Sequence, residues 1–407
     1  MRKIYLDYAA TTPIAPEIYR AMEPYFKSEF GNAGSLHSWG QKAIQGLDKA
    51  RAQAATAIGA SFDEIVFTGS ATEANNLVLR GVVRSAKLDP SSKSKAKPRI
   101  IVSAIEHESV LKTVENIENE AEVVILPVKP TGLVDLGRLK SALSANTVLV
   151  SIIYANNEVG TLEPIAEISK IIKDFRQQIA KGAIHAPVAI SHLPLLHTDA
   201  AQAYQYEPVD VANLGVDFMT LSAHKLYGPK GVGILYVRNM RHVALPLTPI
   251  ITGGGQEFGL RAGTENVPYI VGAGMALERA KAKRVSAVRH VSKLREKFWQ
   301  GLTKIFPNAQ LNGPDKNTAK APHILNVYLP GTKAEVVLTA LDLQGIAASA
   351  GSACSARSLE ASPVLKALGY SAERIKGSLR FSFGLPTTTQ EIASALAILT
   401  KIKNQLK

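Results

Sequence analysis

The stretch Phe218-Met219-Thr220-Leu221-Ser222-Ala223-His224-Lys225-Leu226-Tyr227-Gly228-Pro229-Lys230-Gly231 opens as an apolar run and breaks into a Gly/Pro turn. A run this short, ended by breakers, reads as a buried strand with a lysine at its end. Similar β-branched runs lie at residues 64–67, 99–103, 123–126, 147–153, 195–198 and 233–237, most of them separated by longer segments of helical pattern. Strands alternating with helices imply βαβ units, and hence a mainly parallel sheet covered on both faces. The seven runs predict an α/β fold, with a large domain over about residues 15–259.

Beyond that domain, residues 271–306 are rich in Ala, Lys, Arg, Glu and Leu at helical spacing and contain no proline, so a long helix is expected to join two domains. Residues 324–329, 334–343, 346–349 and 379–383 then read as strand, helix, strand and strand. A smaller α+β domain, built from residues 1–14 and 260–407, is the expectation. Residues 85–98 and 177–193 are low in apolar periodicity and read as surface insertions. There is no internal repeat of solenoid or propeller type.

The 407 residues are 46% hydrophobic and 20% charged, which excludes a disordered or fibrous chain. The net charge is +13, with lysines crowded at 87–97, 281–304 and 401–407. These clusters lack interleaved aromatics, so solvated faces are the better reading and no stable nucleic-acid binding is expected. Cys354 is the one cysteine. It cannot close an intrachain disulfide, which favours a reducing compartment, and any role it has is as a thiol. The chain enters Ile4-Tyr5-Leu6-Asp7 without a signal core, and its apolar runs are far short of the ~20 residues a membrane helix needs. A cytoplasmic, non-membrane protein is expected.

Three strand ends carry chemistry. Lys225 suits an amine that forms a Schiff base with an aldehyde cofactor, and equally suits an ordinary turn. Phe67-Thr68-Gly69-Ser70-Ala71-Thr72-Glu73-Ala74-Asn75-Asn76 runs from a strand into a helix, where free N–H groups and the positive helix end would bind an anion; a Thr-capped helix is the plainer alternative. In His197-Thr198-Asp199-Ala200-Ala201-Gln202 the carboxylate either holds a proton on a pyridine nitrogen or caps a helix.

With these motifs in order, the chain resembles a pyridoxal-phosphate cysteine desulfurase of the iron–sulfur cluster assembly type, within the class V aminotransferase superfamily. The resemblance runs from Tyr5-Leu6-Asp7-Tyr8-Ala9-Ala10-Thr11-Thr12-Pro13 to Arg380-Phe381-Ser382-Phe383-Gly384. It implies pyridoxal-phosphate fold type I, with a mainly parallel seven-stranded sheet in the large domain. It implies that Lys225 binds pyridoxal 5′-phosphate, that Asp199 pairs with the ring nitrogen and that Gln202 meets the ring hydroxyl. His107, in Glu106-His107-Glu108-Ser109, would stack over the ring and assist proton transfer. Ala71, Thr72, Ser222, Ala223 and His224 would surround the phosphate, and Thr264 would reach the phosphate of a second subunit in a homodimer.

For the substrate, L-cysteine, the resemblance implies Asn157 at the ring and Arg380, with Asn32 nearby, at the α-carboxylate. A planar guanidinium suits a carboxylate because it donates two parallel hydrogen bonds; the plainer alternative for Arg380 is a surface salt bridge. Cys354, in Ala350-Gly351-Ser352-Ala353-Cys354-Ser355-Ala356-Arg357, would be the nucleophile that takes sulfur as a persulfide, with Arg357 or a site histidine lowering its pKa. The length and Ser-Ala-Cys-Ser form of the 351–363 segment resemble the long-loop branch. No resident metal is implied, although Cys354 would transiently ligate an iron–sulfur cluster shared with a scaffold protein. As the single cysteine, it must pass its sulfur to a separate acceptor, whether an iron–sulfur scaffold protein or the machinery of thio-cofactor or tRNA synthesis. Selenocysteine lyase, cystine C–S lyase and transaminase on the same scaffold are the nearer alternatives. A non-catalytic basic binding protein is the distant one.

Overall fold

The structure is a computed structural model that describes residues 3–88, 96–182, 194–240, 247–351 and 361–405. The seven expected runs form one sheet from β2 (Ile65–Thr68), β3 (Arg99–Ser103), β4 (Glu122–Leu126), β5 (Thr147–Ser151), β6 (Leu195–Asp199), β7 (Phe218–Ser222) and β8 (Gly233–Val237), after a short β1 (Ile4–Tyr5). Their order is β2-β8-β7-β6-β5-β3-β4, and β8 alone runs antiparallel to its neighbours. Strands β5 to β8 are buried at every residue, as expected of strands covered on both faces. At the edge, β4 is largely uncovered.

Two boundaries differ from the sequence reading. The strand expected to reach residue 153 ends at Ser151, because the N–H of Ile153 bonds to the Glu106 carboxylate (2.8 Å) and not to a neighbouring strand. The expected insertions also start later than residues 85 and 177. Ser85 to Leu88 continue the Ala71–Leu88 helix, where Val82, Val83 and Ala86 keep a buried stripe, and Gln177 to Ala180 close the Ile165–Ala180 helix. The rest of each insertion lies mainly outside the described residues.

The expected long helix spans Val267–Ile305, 39 residues or roughly 58 Å. Its first half packs Ala273, Ala276, Leu277 and Ala280 into the core beneath the large sheet. Its second half packs Ala287, Val291, Leu294, Phe298 and Leu302 into a separate core. That second core includes residues from β10 (Ile324–Tyr328) and β12 (Ser378–Ser382), which pair antiparallel and continue through β9 (Gln310–Leu311). The pair β1 and β11 (Ile346–Ala347) and the helices Ala334–Leu343 and Thr389–Gln405 complete it. The strand expected over 346–349 is thus only two residues long, with Ser349 bridging separately to Arg380. We propose these two cores as two domains joined by the long helix.

Candidate active site

In an open parallel sheet, ligands sit beyond the carboxyl ends of the strands. That edge is where the polar residues converge here, around a cavity of about 310 Å³. Strand β2 leads to Ser70, Ala71 and Thr72, β3 to His107 and Ser109, β5 to Ile153 and Asn157, β6 to Asp199 and Gln202, and β7 to Ser222, His224 and Lys225. Arg380 enters from β12 in the smaller core.

The Lys225 turn is braced by the N-terminal segment. Lys225 Nζ donates to the carbonyls of Ala9 (2.5 Å) and Ala10 (2.7 Å). Thr12 Oγ1 donates to the His224 carbonyl (2.8 Å) and accepts from the N–H of Tyr227 (2.8 Å), a residue held at φ 63° in the left-handed region. His224 faces Thr11, and burial with Lys225 and Lys230 nearby pushes its pKa down to about 3, so its imidazole is neutral. The same segment supplies Asp7, whose carboxylate accepts from Arg380 Nη2 (2.8 Å) while Nη1 donates to the Asn157 carbonyl (2.8 Å). Arg380 is only 1% exposed, so the pair is not the surface salt bridge weighed from sequence; its Nε has no partner among the described residues.

Asp199 is also buried. Its Oδ1 accepts from the N–H of Ala201 (2.9 Å) and its Oδ2 from Asn75 Nδ2 (2.9 Å), and a turn follows it, not a helix. Asn75 Nδ2 also donates to Ser109 Oγ (2.8 Å), which lies 2.9 Å from His107 Nδ1. Burial lowers the His107 pKa, reinforced by Lys225 and opposed by Asp199. Gln202 Nε2 donates to the Ala9 carbonyl (2.7 Å), and its oxygen faces His323.

The N-terminus of the Ala71–Leu88 helix closes one end of the cavity. The sequence alternative was a Thr cap. Instead, Ser70 Oγ accepts from the Glu73 N–H (3.1 Å), and Glu73 returns a carboxylate to the Gly69 N–H (2.9 Å) and to Arg261 Nε (3.0 Å), because a reciprocal Ser/Glu arrangement satisfies more orphan donors. Beneath it, Gly233 has no room for a side chain: a Cβ there would lie 2.3 Å from the Ser70 carbonyl carbon.

Of the residues expected at the site, Ala71, Thr72, His107, Asn157, Asp199, Gln202, Ser222, His224, Lys225 and Arg380 line this cavity. Ala223 is buried and does not line it, Asn32 is exposed and does not line it, and Thr264 is exposed at an adjoining recess with Gly69 and Arg261. Cys354 and Arg357 lie outside the described residues.

The fold agrees with that of known proteins. The model of the aminotransferase class-V family matches residues 4–394. The chain belongs to the aminotransferase class-V family. A relative from Dictyoglomus turgidum, the cysteine desulfurase IscS, is 41% identical over 407 residues, covering all of this chain and 96% of its own. Among solved structures, a NifS-like protein from Rickettsia africae matches with TM-score 0.81 at 31% identity, covering 99% of this chain and all of its own. A structure of SspA in complex with cysteine matches with TM-score 0.75 at 33% identity, over 94% and 99% of the two chains. Within this class-V chain, sequence reasoning passed over Asn75, Ser109, Asp7 and Gly233 as site residues. The available signal was weak, since each sits inside a quoted motif or at a strand start but is of a residue type that usually caps, solvates or turns.

Proposed function

We propose that the chain is a pyridoxal-phosphate-dependent cysteine desulfurase that moves sulfur from L-cysteine to Cys354 and releases L-alanine. The observation that carries this reading is an amine, a buried carboxylate and a helix N-terminus facing one cavity, at Lys225, Asp199 and Ala71–Thr72. Pyridoxal 5′-phosphate needs these three groups: an amine for its aldehyde, an anion for its ring nitrogen and donors for its phosphate. The residues fit. Ser222 and His224 would flank the phosphate, Gly233 leaves the cradle its depth, and Gln202 offers an amide for the ring hydroxyl.

When bound, the cofactor supplies an electron sink for the pair left at a substrate α-carbon. Asp199, with both oxygens hydrogen-bonded, would hold a proton on the ring nitrogen. Arg380, its Nε without a partner among the described residues, would bind the α-carboxylate. Lys225 Nζ and neutral His107 would move the α-proton. Cys354 thiolate would attack the substrate sulfur: an S–S bond forms, the C–S bond breaks, and its electron pair leaves with the carbon fragment, which is protonated to L-alanine.

The family's relatives support the same choice over a transaminase. A homodimer, with Thr264 serving the partner's cavity, fits the exposure of Thr264 outside its own cavity. The acceptor would be a sulfur-carrier or iron–sulfur scaffold protein, and the location cytoplasmic, where a lone thiol stays reduced. The deciding experiment records the visible spectrum of the purified protein, then adds L-cysteine with a thiol reductant and assays alanine and sulfide. A coloured protein and loss of at least roughly 10³-fold of both products in Cys354→Ala are expected. Undiminished products in Cys354→Ala, or a keto acid in place of alanine, would overturn the reading.

A further inference from the structure

We propose that Asn75 is a positioning residue that, with a single amide nitrogen, orients Asp199 directly and His107 through Ser109. The inference rests on the reading of the cavity as the pyridoxal-phosphate site. Asn75 is fully buried in the Ala71–Leu88 helix, one turn past the cradle. Its Nδ2 lies 2.9 Å from Asp199 Oδ2 and 2.8 Å from Ser109 Oγ, so both hydrogens of the amide are committed. The reverse amide orientation would turn Oδ1 against a carboxylate, acceptor on acceptor, so Asp199 itself dictates which way the amide faces.

Ser109 passes that direction on. Its oxygen accepts from Asn75, which leaves its one hydrogen for His107 Nδ1 at 2.9 Å. The same Nδ1 accepts the backbone N–H of Ser109 at 3.1 Å. With Nδ1 an acceptor, the proton of the neutral imidazole sits on Nε2. Loss of Asn75 therefore removes a charge-assisted bond from a buried carboxylate and frees the serine hydroxyl that steadies the imidazole. Loss of Ser109 Oγ releases only the imidazole.

The test titrates pyridoxal 5′-phosphate into cofactor-free protein by absorbance, and follows deuterium uptake at the α-carbon of L-alanine in D₂O for each loaded enzyme. In Asn75→Ala, cofactor affinity and deuterium uptake should both fall by about tenfold. In Ser109→Ala, affinity should stay within about twofold while uptake falls, and the double variant should be no slower than Asn75→Ala alone. In Asn75→Leu, which nearly keeps the volume and has no donor, affinity and uptake should fall as in Asn75→Ala. Asn75→Ala binding the cofactor as wild type does, or losses that multiply in the double variant, would overturn the inference. If Asn75→Ala fails to fold, undiminished uptake in Ser109→Ala overturns it alone. Wild-type protein that acquires no visible band would overturn the cofactor reading itself, a separate outcome from wild-type-like Asn75→Ala.

Discussion

Glu106, one residue before His107, shows how the wall of the site depends on protonation. It is 2% exposed, with Oε1 accepting from the Ser103 hydroxyl and the Ile153 N–H, and Oε2 without a partner among the described residues. Burial pushes its pKa up to about 8 from 4.5. Between those values the folded protein keeps a proton that the unfolded chain releases. Its contribution is therefore fully present at acid pH, declines as pH rises, and is lost above the folded value. Glu163, buried and raised to about 8 as well, adds a similar slope. Glu106→Gln keeps the acceptor oxygen and has no proton to lose, so from about pH 6 to pH 9 its melting temperature should fall less than that of wild type by at least a few degrees. Identical slopes in calorimetric scans of the two proteins would contradict this account.

Among the elements, the long Val267–Ile305 helix comes against the backbone of the Ser38–Ile58 helix at Gly274. A Cβ on Gly274 would lie 2.7 Å from Ala50 Cα and 2.8 Å from its carbonyl oxygen, backbone atoms that cannot swing aside. Alanine is intrinsically better in a helix by about 1 kcal/mol, but forcing the two helices apart costs about 1–3 kcal/mol. Gly274→Ala should therefore destabilise, by about 1 kcal/mol, in urea unfolding; a stabilised variant would contradict a close backbone contact here. This helix was legible from its period, but its start was read four residues late. Pro268 resembles a breaker, although proline is well accommodated in a first turn. Lys225 and Asp199 were legible because a charged residue ending an apolar strand is rare. Asn75 was not, since an asparagine on a helix usually faces water and the carboxylate it serves is 124 residues away in sequence.

At the scale of the whole molecule, the number of chains that build one site is testable. Thr264 lines a recess of about 220 Å³ that adjoins the cavity of its own chain across Gly231 and Val232 but is not part of that cavity's lining. Tyr19, Phe26, Phe30 and Trp39 are 57%, 54%, 62% and 48% exposed, and Phe30 meets Trp39 edge-on at 4.6 Å. If two copies associate and each lends Thr264 to the other, Lys225→Ala and Thr264→Asp destroy different parts of each site. The first removes the amine, and the second sets a negative charge against the phosphate. Each variant alone then has two defective sites. A mixed dimer puts the intact lysine of the Thr264→Asp chain together with the intact threonine of the Lys225→Ala chain, and leaves the other site doubly damaged. Mixed dimers isolated through two affinity tags should regain about half of the wild-type desulfurase rate, one native site of two. Sites built entirely within one chain would leave the mixed dimers no more active than their parents.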